Sequence, residues 1–277
     1  MSKKIGILAF AGKNTGGVYQ YTESIIDALK NDTSNKYVIF CYENEERFNN
    51  LNLEIRVLDK KKTTRYQNVV RDLQLLFNYR RPLFFSNKEK MFFNDIELFL
   101  CPMVSSYPHF YLNRAYVFTL HDMQERYYPS FFSKRERLVR WLNNKSLAKN
   151  AYKIICESSF VQNDIHKFTR VKVDKINIIQ TPPPEDFLKV KFLESSFTSI
   201  KKKYNLPTNF IFYPAQCWHH KNHIKLIEAF NIVCQKRKDI FLVLTGSQKN
   251  NYINVVNKIE ELKIKEKVIH LGYIDYA

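Results

Sequence analysis

The sequence predicts an α/β protein in two successive blocks, each built from short apolar strands alternating with amphipathic helices around a mostly parallel sheet. Three observations carry that prediction. Apolar runs of four to seven residues close on glycine, polar or turn residues, and apolar side chains recur at helical spacing between them. The alternation stops at Pro182-Pro183-Pro184 and then starts again.

The elements follow in order. Ile5–Ala11 reads as a buried strand, Gly12–Gly17 as a loop, and Val18–Lys30 as a helix with Val18, Tyr21, Ile25 and Leu29 on one face. Tyr37–Cys41, Glu54–Leu58, Ile96–Cys101 and Tyr116–Leu120 read as further strands. Ser133 and Glu136 form a capping box that opens a basic helix reaching about Asn150. Lys153–Cys156, a helix over Phe160–Phe168 and Ile176–Ile179 complete a Rossmann-like domain over residues 1–185. Residues 186–207 read as a polar linker with room for one short helix. The second block, residues 208–277, then offers strand Phe210–Tyr213, helix Ile224–Lys236, strand Ile240–Thr245 ending at Gly246, helix Tyr252–Leu262 and strand Lys267–Leu271. Three strands and two helices are half of a doubly wound domain, with an apolar sheet edge expected near Lys267–Leu271. No internal repeat is present.

At 277 residues, 45% hydrophobic and 26% charged, the chain has the composition of a globular protein. Its 44 Lys and Arg against 27 Asp and Glu leave +17, which favours acidic partners such as phosphorylated substrates or anionic headgroups. Scattered surface lysines explain the same excess without any partner. Cys41, Cys101, Cys156, Cys217 and Cys234 are odd in number and widely spaced, so neither a disulfide framework nor a zinc site is expected and a reducing cytosol fits best. Gly12, Lys13 and Asn14 interrupt the apolar start before a signal-peptide core forms. No apolar run approaches the roughly 20 residues that span a bilayer.

Candidate functional residues cluster where strands end, the edge at which open α/β sheets bind ligands. Gly16 and Gly17 follow the first strand, where glycine lets backbone approach a ligand closely, although the dinucleotide fingerprint G-x-G-x-x-G is absent. His121 and Asp122 follow the strand Tyr116–Leu120. Ser158 or Ser159, after Lys153–Cys156, reads as a helix N-cap. Lys221 closes a strand–loop–helix junction, where a cation and the helix N–H groups together suit a phosphate.

Three of these motifs resemble those of retaining glycosyltransferases of the two-domain GT-B type, family 4. They are Gly16-Gly17-Val18-Tyr19-Gln20-Tyr21, Thr119-Leu120-His121-Asp122 and Tyr213-Pro214-Ala215-Gln216-Cys217-Trp218-His219-His220-Lys221-Asn222-His223. The resemblance implies a GT-B fold with a complete acceptor-side domain and a partial domain for the nucleotide sugar. It also implies a nucleoside-diphosphate sugar as donor substrate, a saccharide or lipid-linked acceptor, and no cofactor. Under it, His121 would bond the transferred sugar and Asp122 would orient the imidazole. Lys221, Asn222, Gln216 and Gly246 would hold the donor, and Gly16 and Gly17 would line the cleft. No metal is implied, and neither an Asp-x-Asp motif nor a histidine cluster calls for one.

The sequence departs from the family pattern in two places. The arginine usual a few residues before the lysine is missing, so either His219 or His220 compensates or the diphosphate clamp is weaker. The family's glutamate-bearing segment would lie beyond Leu271–Tyr276, so the chain is expected to be truncated and nearly inactive by itself. The stretch Asp59–Tyr66 through Arg80–Phe85 interleaves cations with aromatics and suits an anionic membrane surface, which would place the protein in the cytoplasm, peripheral on the inner face of the plasma membrane. Three alternatives stand beside sugar transfer: an inactive remnant of such an enzyme, a sugar-nucleotide epimerase of related architecture, and a basic nucleic-acid-binding protein. No recognisable nucleic-acid module supports the last, and nucleic acid is not expected as a partner.

Overall fold

The computed structural model describes residues 2–12, 15–43, 48, 51–59, 63–80, 83–84, 91–110, 114–181, 183 and 194–274. It divides into two compact units, residues 1–188 and 189–277.

The first unit holds seven strands: β1 (Lys4–Leu8), β2 (Lys36–Cys41), β3 (Glu54–Val57), β4 (Leu98–Cys101), β5 (Ala115–Thr119), β6 (Lys153–Cys156) and β7 (Ile176–Ile178). They form one parallel sheet in the order β3-β2-β1-β4-β5-β6-β7, the doubly wound arrangement whose order reverses between β1 and β4. Central strands of such a sheet are covered on both faces and need continuous apolar runs, which Ile5–Leu8 and Tyr37–Cys41 supply. One face packs Leu8, Val38, Phe40, Phe99, Phe118 and Ile154 against Leu147 and Ile165 from helices α3 (Lys134–Asn150) and α4 (Ser159–Thr169). The other packs Ile5, Ile7, Ile39 and Cys41 against Ile26 of helix α1 (Gly17–Leu29).

Several expected strands are shorter than the sequence suggests, β1 and β4 among them. β1 stops at Leu8, because the Ala9 N–H turns to Phe40 O at 2.9 Å and Ile7 O at 3.2 Å; residues 9 and 11 stay buried beyond the ladder. β4 begins at Leu98 rather than Ile96, since the Ile96 N–H closes a turn on Phe93 O. Two α-helices were not anticipated, the single turn Tyr107–Phe110 and a longer one. Helix α2 (Arg65–Leu76) lies in the cationic–aromatic stretch and is opened by a reciprocal Thr64–Gln67 capping box. Lys60–Lys62, Arg81, Pro82 and Phe85 of that stretch lie outside the described residues.

The second unit contains α5 (Glu194–Lys203), β8 (Asn209–Pro214), α6 (His223–Lys236), β9 (Ile240–Thr245), α7 (Tyr252–Glu261) and β10 (Val268–His270). α5 falls within the expected linker, of which residues 186–193 lie outside the described residues. Its three strands are parallel in the order β10-β9-β8, so β10 is an edge strand among the described residues. Ile227, Phe230 and Cys234 of α6 and Val255 of α7 bury against Leu242 and Leu244 of the central strand.

Candidate functional site

In the first unit, four chain segments meet at the carboxyl edge of the sheet around His121. β5 delivers the histidine two residues past its last paired strand position, half-buried, with the Tyr21 ring edge-on at 4.8 Å. Its Nε2 lies 3.0 Å from the Pro102 carbonyl after β4, and its Nδ1 lies 3.2 Å from Glu157 Oε1 after β6. Both partners are acceptors, so a ring N–H donates to one or the other according to the tautomer, and together they fix the ring plane. The Thr181 hydroxyl donates to the same Glu157 oxygen at 2.6 Å. Tyr21 and Thr119 hydroxyls lie 2.8 Å apart beneath the histidine, and burial pushes the Tyr21 phenol up from its ordinary value.

The expected orienting role of Asp122 is not what the geometry provides. Asp122 Oδ1 instead accepts the Gln124 N–H at 3.2 Å, closing the short turn that follows. Glu157 does the orienting. Sequence reading passed over it, because it precedes Ser158 and was absorbed into the N-cap pattern. Ser158 is indeed that cap, its Oγ accepting the Val161 N–H at 3.3 Å.

Gly16 is the N-cap of α1 with φ 67 and ψ −130, a conformation that only glycine adopts without strain. Its carbonyl accepts the N–H groups of Tyr19 and Gln20. A Cβ built on Gly17 would meet nothing within 4 Å, so open space borders this loop.

In the second unit, β8 ends at Pro214 and the loop turns through a short 3₁₀ segment, His219–Lys221, into α6. Asn222 stands between the two at φ 52, a left-handed position that asparagine tolerates. The Lys221 side chain is exposed, while its carbonyl accepts the Tyr213 hydroxyl at 2.8 Å, which ties the loop back to β8. The Asn222 N–H is committed to His219 O at 3.0 Å. The N–H groups left at this helix start are those of His223, Ile224 and Lys225, which an α-helix cannot satisfy internally.

Wholly buried His223 supports the loop from below, with Nε2 3.2 Å from Ala215 O and its ring edge-on to Tyr213 at 5.1 Å. Burial, with smaller contributions from His270 and Lys221, holds its pKa below the ordinary histidine value. Gln216 Oε1 accepts the Trp218 indole N–H at 2.9 Å. The indole lies near parallel to His220 and beneath the Lys249 ammonium, 5.4 Å from its ring centre. Gly246 follows β9 at φ +126, and a Cβ there would sit 2.6 Å from Ala215 O. Glycine therefore lets the two loops touch. Among the described residues no group of His, Cys, Asp and Glu could hold a metal ion.

The comparisons with known proteins agree with this architecture. The family model described as glycosyl transferases group 1 matches residues 196–277. Among solved structures, Anabaena HepE in complex with UDP and glucose superposes with a TM-score of 0.69 at 15% identity, over 99% of this chain and 70% of that one. WaaG, a glycosyltransferase involved in lipopolysaccharide biosynthesis, gives 0.62 at 13% identity over 98% and 70%. S. aureus TarM, in complex with Fondaparinux, α-GlcNAc-glycerol and UDP, gives 0.56 at 11% over 98% and 78%. No curated protein sequence matches the chain significantly. The sequence pattern of the group 1 glycosyl transferases thus lies over the second unit, and the likeness of the whole chain to these structures is one of fold.

Proposed function

We propose that the chain serves sugar transfer from a nucleoside-diphosphate sugar to a saccharide or lipid-linked acceptor in cell-surface polysaccharide synthesis. The observation that carries this reading is the exposed Lys221 placed directly before the N-cap Asn222 of α6, whose first N–H groups have no intrahelical partner. Departure of the nucleotide develops negative charge on its diphosphate, and a fixed cation with helix-end dipoles lowers that barrier electrostatically. Lys221, with Gln216 and Gly246 shaping its loop, is the donor-side group. His121 acts on the sugar side, held by Glu157 and Pro102. A bond from its ring to a sugar hydroxyl requires one of those two contacts to be exchanged, as happens when a catalytic site tightens around its substrate.

A nucleoside-diphosphate titration of wild type and Lys221→Ala tests the donor assignment. The variant should bind more weakly by about 1.5–3 kcal/mol, the scale of a charge-assisted hydrogen bond. An unchanged affinity would remove Lys221 from the site.

The acceptor side is read as working at an anionic membrane surface on the cytoplasmic face. Helix α2 supports this, since Tyr66, Val69, Leu73, Leu76 and Phe77 recur at helical spacing on its exposed face, Phe77 being 75% accessible. The exposed Arg65 borders that stripe, and a cation beside an apolar face suits an interfacial helix. No helix among the described residues is long and apolar enough to cross a membrane. Five buried free cysteines fit a reducing compartment.

A further inference from the structure

At the amino edge of the first sheet, on the side away from His121, lies a concave pocket of about 460 Å³. Lys149, Lys153, Arg170, Lys172 and Lys175 line it with Asp174, Tyr152 and Val171. Among the described residues, none of the five cations makes an ion pair with a carboxylate. Two are fixed in place by backbone: Lys153 Nζ donates to Asp174 O at 2.8 Å, and Lys175 Nζ donates to Lys149 O at 2.9 Å.

A purely structural reading would have these cations neutralise the ends of α3 and α4, which both terminate here at Asn150 and Thr169. Each helix C-terminus carries roughly half a negative charge. Both ends and the Asp174 carboxylate together offset only about two of the five cations. Some three positive charges remain uncompensated in a depression of ligand size. Burial also holds Lys175 below the ordinary lysine value, the mark of an ammonium that lacks water without having gained a counter-charge.

We propose that this pocket binds a phosphate-bearing anion, distinct in place from the donor loop of the second unit. Fixed ammonium groups act as point charges on phosphate oxygens, and the Arg170 guanidinium adds a planar fork. The phosphate can belong to a soluble diphosphate or to an anionic lipid headgroup.

The test uses the full chain carrying Lys221→Ala, so that the donor loop does not add to the signal. Pyrophosphate and inorganic phosphate are titrated by calorimetry into this protein and into the same protein carrying R170N and K172Q. Asparagine keeps the left-handed conformation of Arg170 (φ 63), and Lys172 is exposed, so neither change disturbs the fold. Circular dichroism checks that. Binding in the parent that weakens at least tenfold in the double variant supports the pocket. No binding of either probe to the parent, or equal binding to both proteins, overturns it. Sedimentation with phosphatidylglycerol and phosphatidylcholine vesicles separates the two sources. A headgroup site loses phosphatidylglycerol retention in the double variant, whereas a site for soluble phosphate leaves retention unchanged.

Discussion

His121 is held by two acceptors that come from strands on either side of its own, so its aim depends on residues far away in sequence. Glu157→Gln keeps the shape but lets the side-chain amide turn its donor group toward Nδ1. Transfer should fall about tenfold, near 1.4 kcal/mol of barrier, with nucleoside-diphosphate affinity unchanged. Steady-state kinetics beside a nucleotide titration measure both, and a loss confined to nucleotide affinity would contradict the positioning role. His109 offers a second residue-scale expectation. It is wholly buried with Nδ1 2.6 Å from the Ser146 hydroxyl, and burial, with Arg80 adding to it, pushes its pKa down to about 4. The unfolded chain, titrating near 6.5, takes up the proton first, so stability falls as pH drops from about 6.5 toward 4. The loss should be on the order of 2 kcal/mol by pH 5 and should vanish in His109→Gln, read from denaturant midpoints at several pH values. His121 was legible in the sequence because strand-end position and neighbouring residues both mark it. Its partners were not: Pro102 contributes only a carbonyl, which leaves no side-chain signal, and Glu157 is 36 residues distant.

Among elements, β1 illustrates why one glycine is required inside a strand. A Cβ on Gly6 would lie 2.8 Å from ring atoms of both Phe40 and Phe99, which pack with Phe93 over the sheet. Gly6→Ala should therefore destabilise the first unit by about 1–3 kcal/mol through overpacking, despite alanine's better strand entropy. Thermal unfolding decides the sign. At the amino edge of the same sheet, Lys4 bridges Glu54 and Asp95 at 2.8 and 2.7 Å, and Arg56 grips Asp95 with two nitrogens, each at 2.7 Å. Arg56, foremost, holds the Asp95 carboxyl well below the usual carboxylate range. That contribution is present above about pH 4 and is lost as pH falls further. Because Asp95 is 45% exposed, solvent screening limits Asp95→Asn to about 1 kcal/mol. Strands of this sheet were easy to find because burial on both faces demands unbroken apolar runs. α2 was missed because its apolar stripe is outward-facing and interleaved with polar residues, although Thr64 and Gln67 carried the capping signal.

For the molecule as a whole, each unit has its own buried core and sheet, so calorimetry should resolve two unfolding transitions. Gly6→Ala should lower only one of them. The parallel order β3-β2-β1-β4-β5-β6-β7 carries one more consequence. β1 leaves the ribosome before β4, yet β4, some ninety residues downstream, is one of its two neighbours, with Ile5 opposite Leu98. Closing that loop must precede any reward from the pairing. During translation the nascent amino-terminal strand therefore waits with one edge unsatisfied until Leu98–Cys101 clears the exit tunnel, and this interval is when a chaperone has the most apolar backbone to hold.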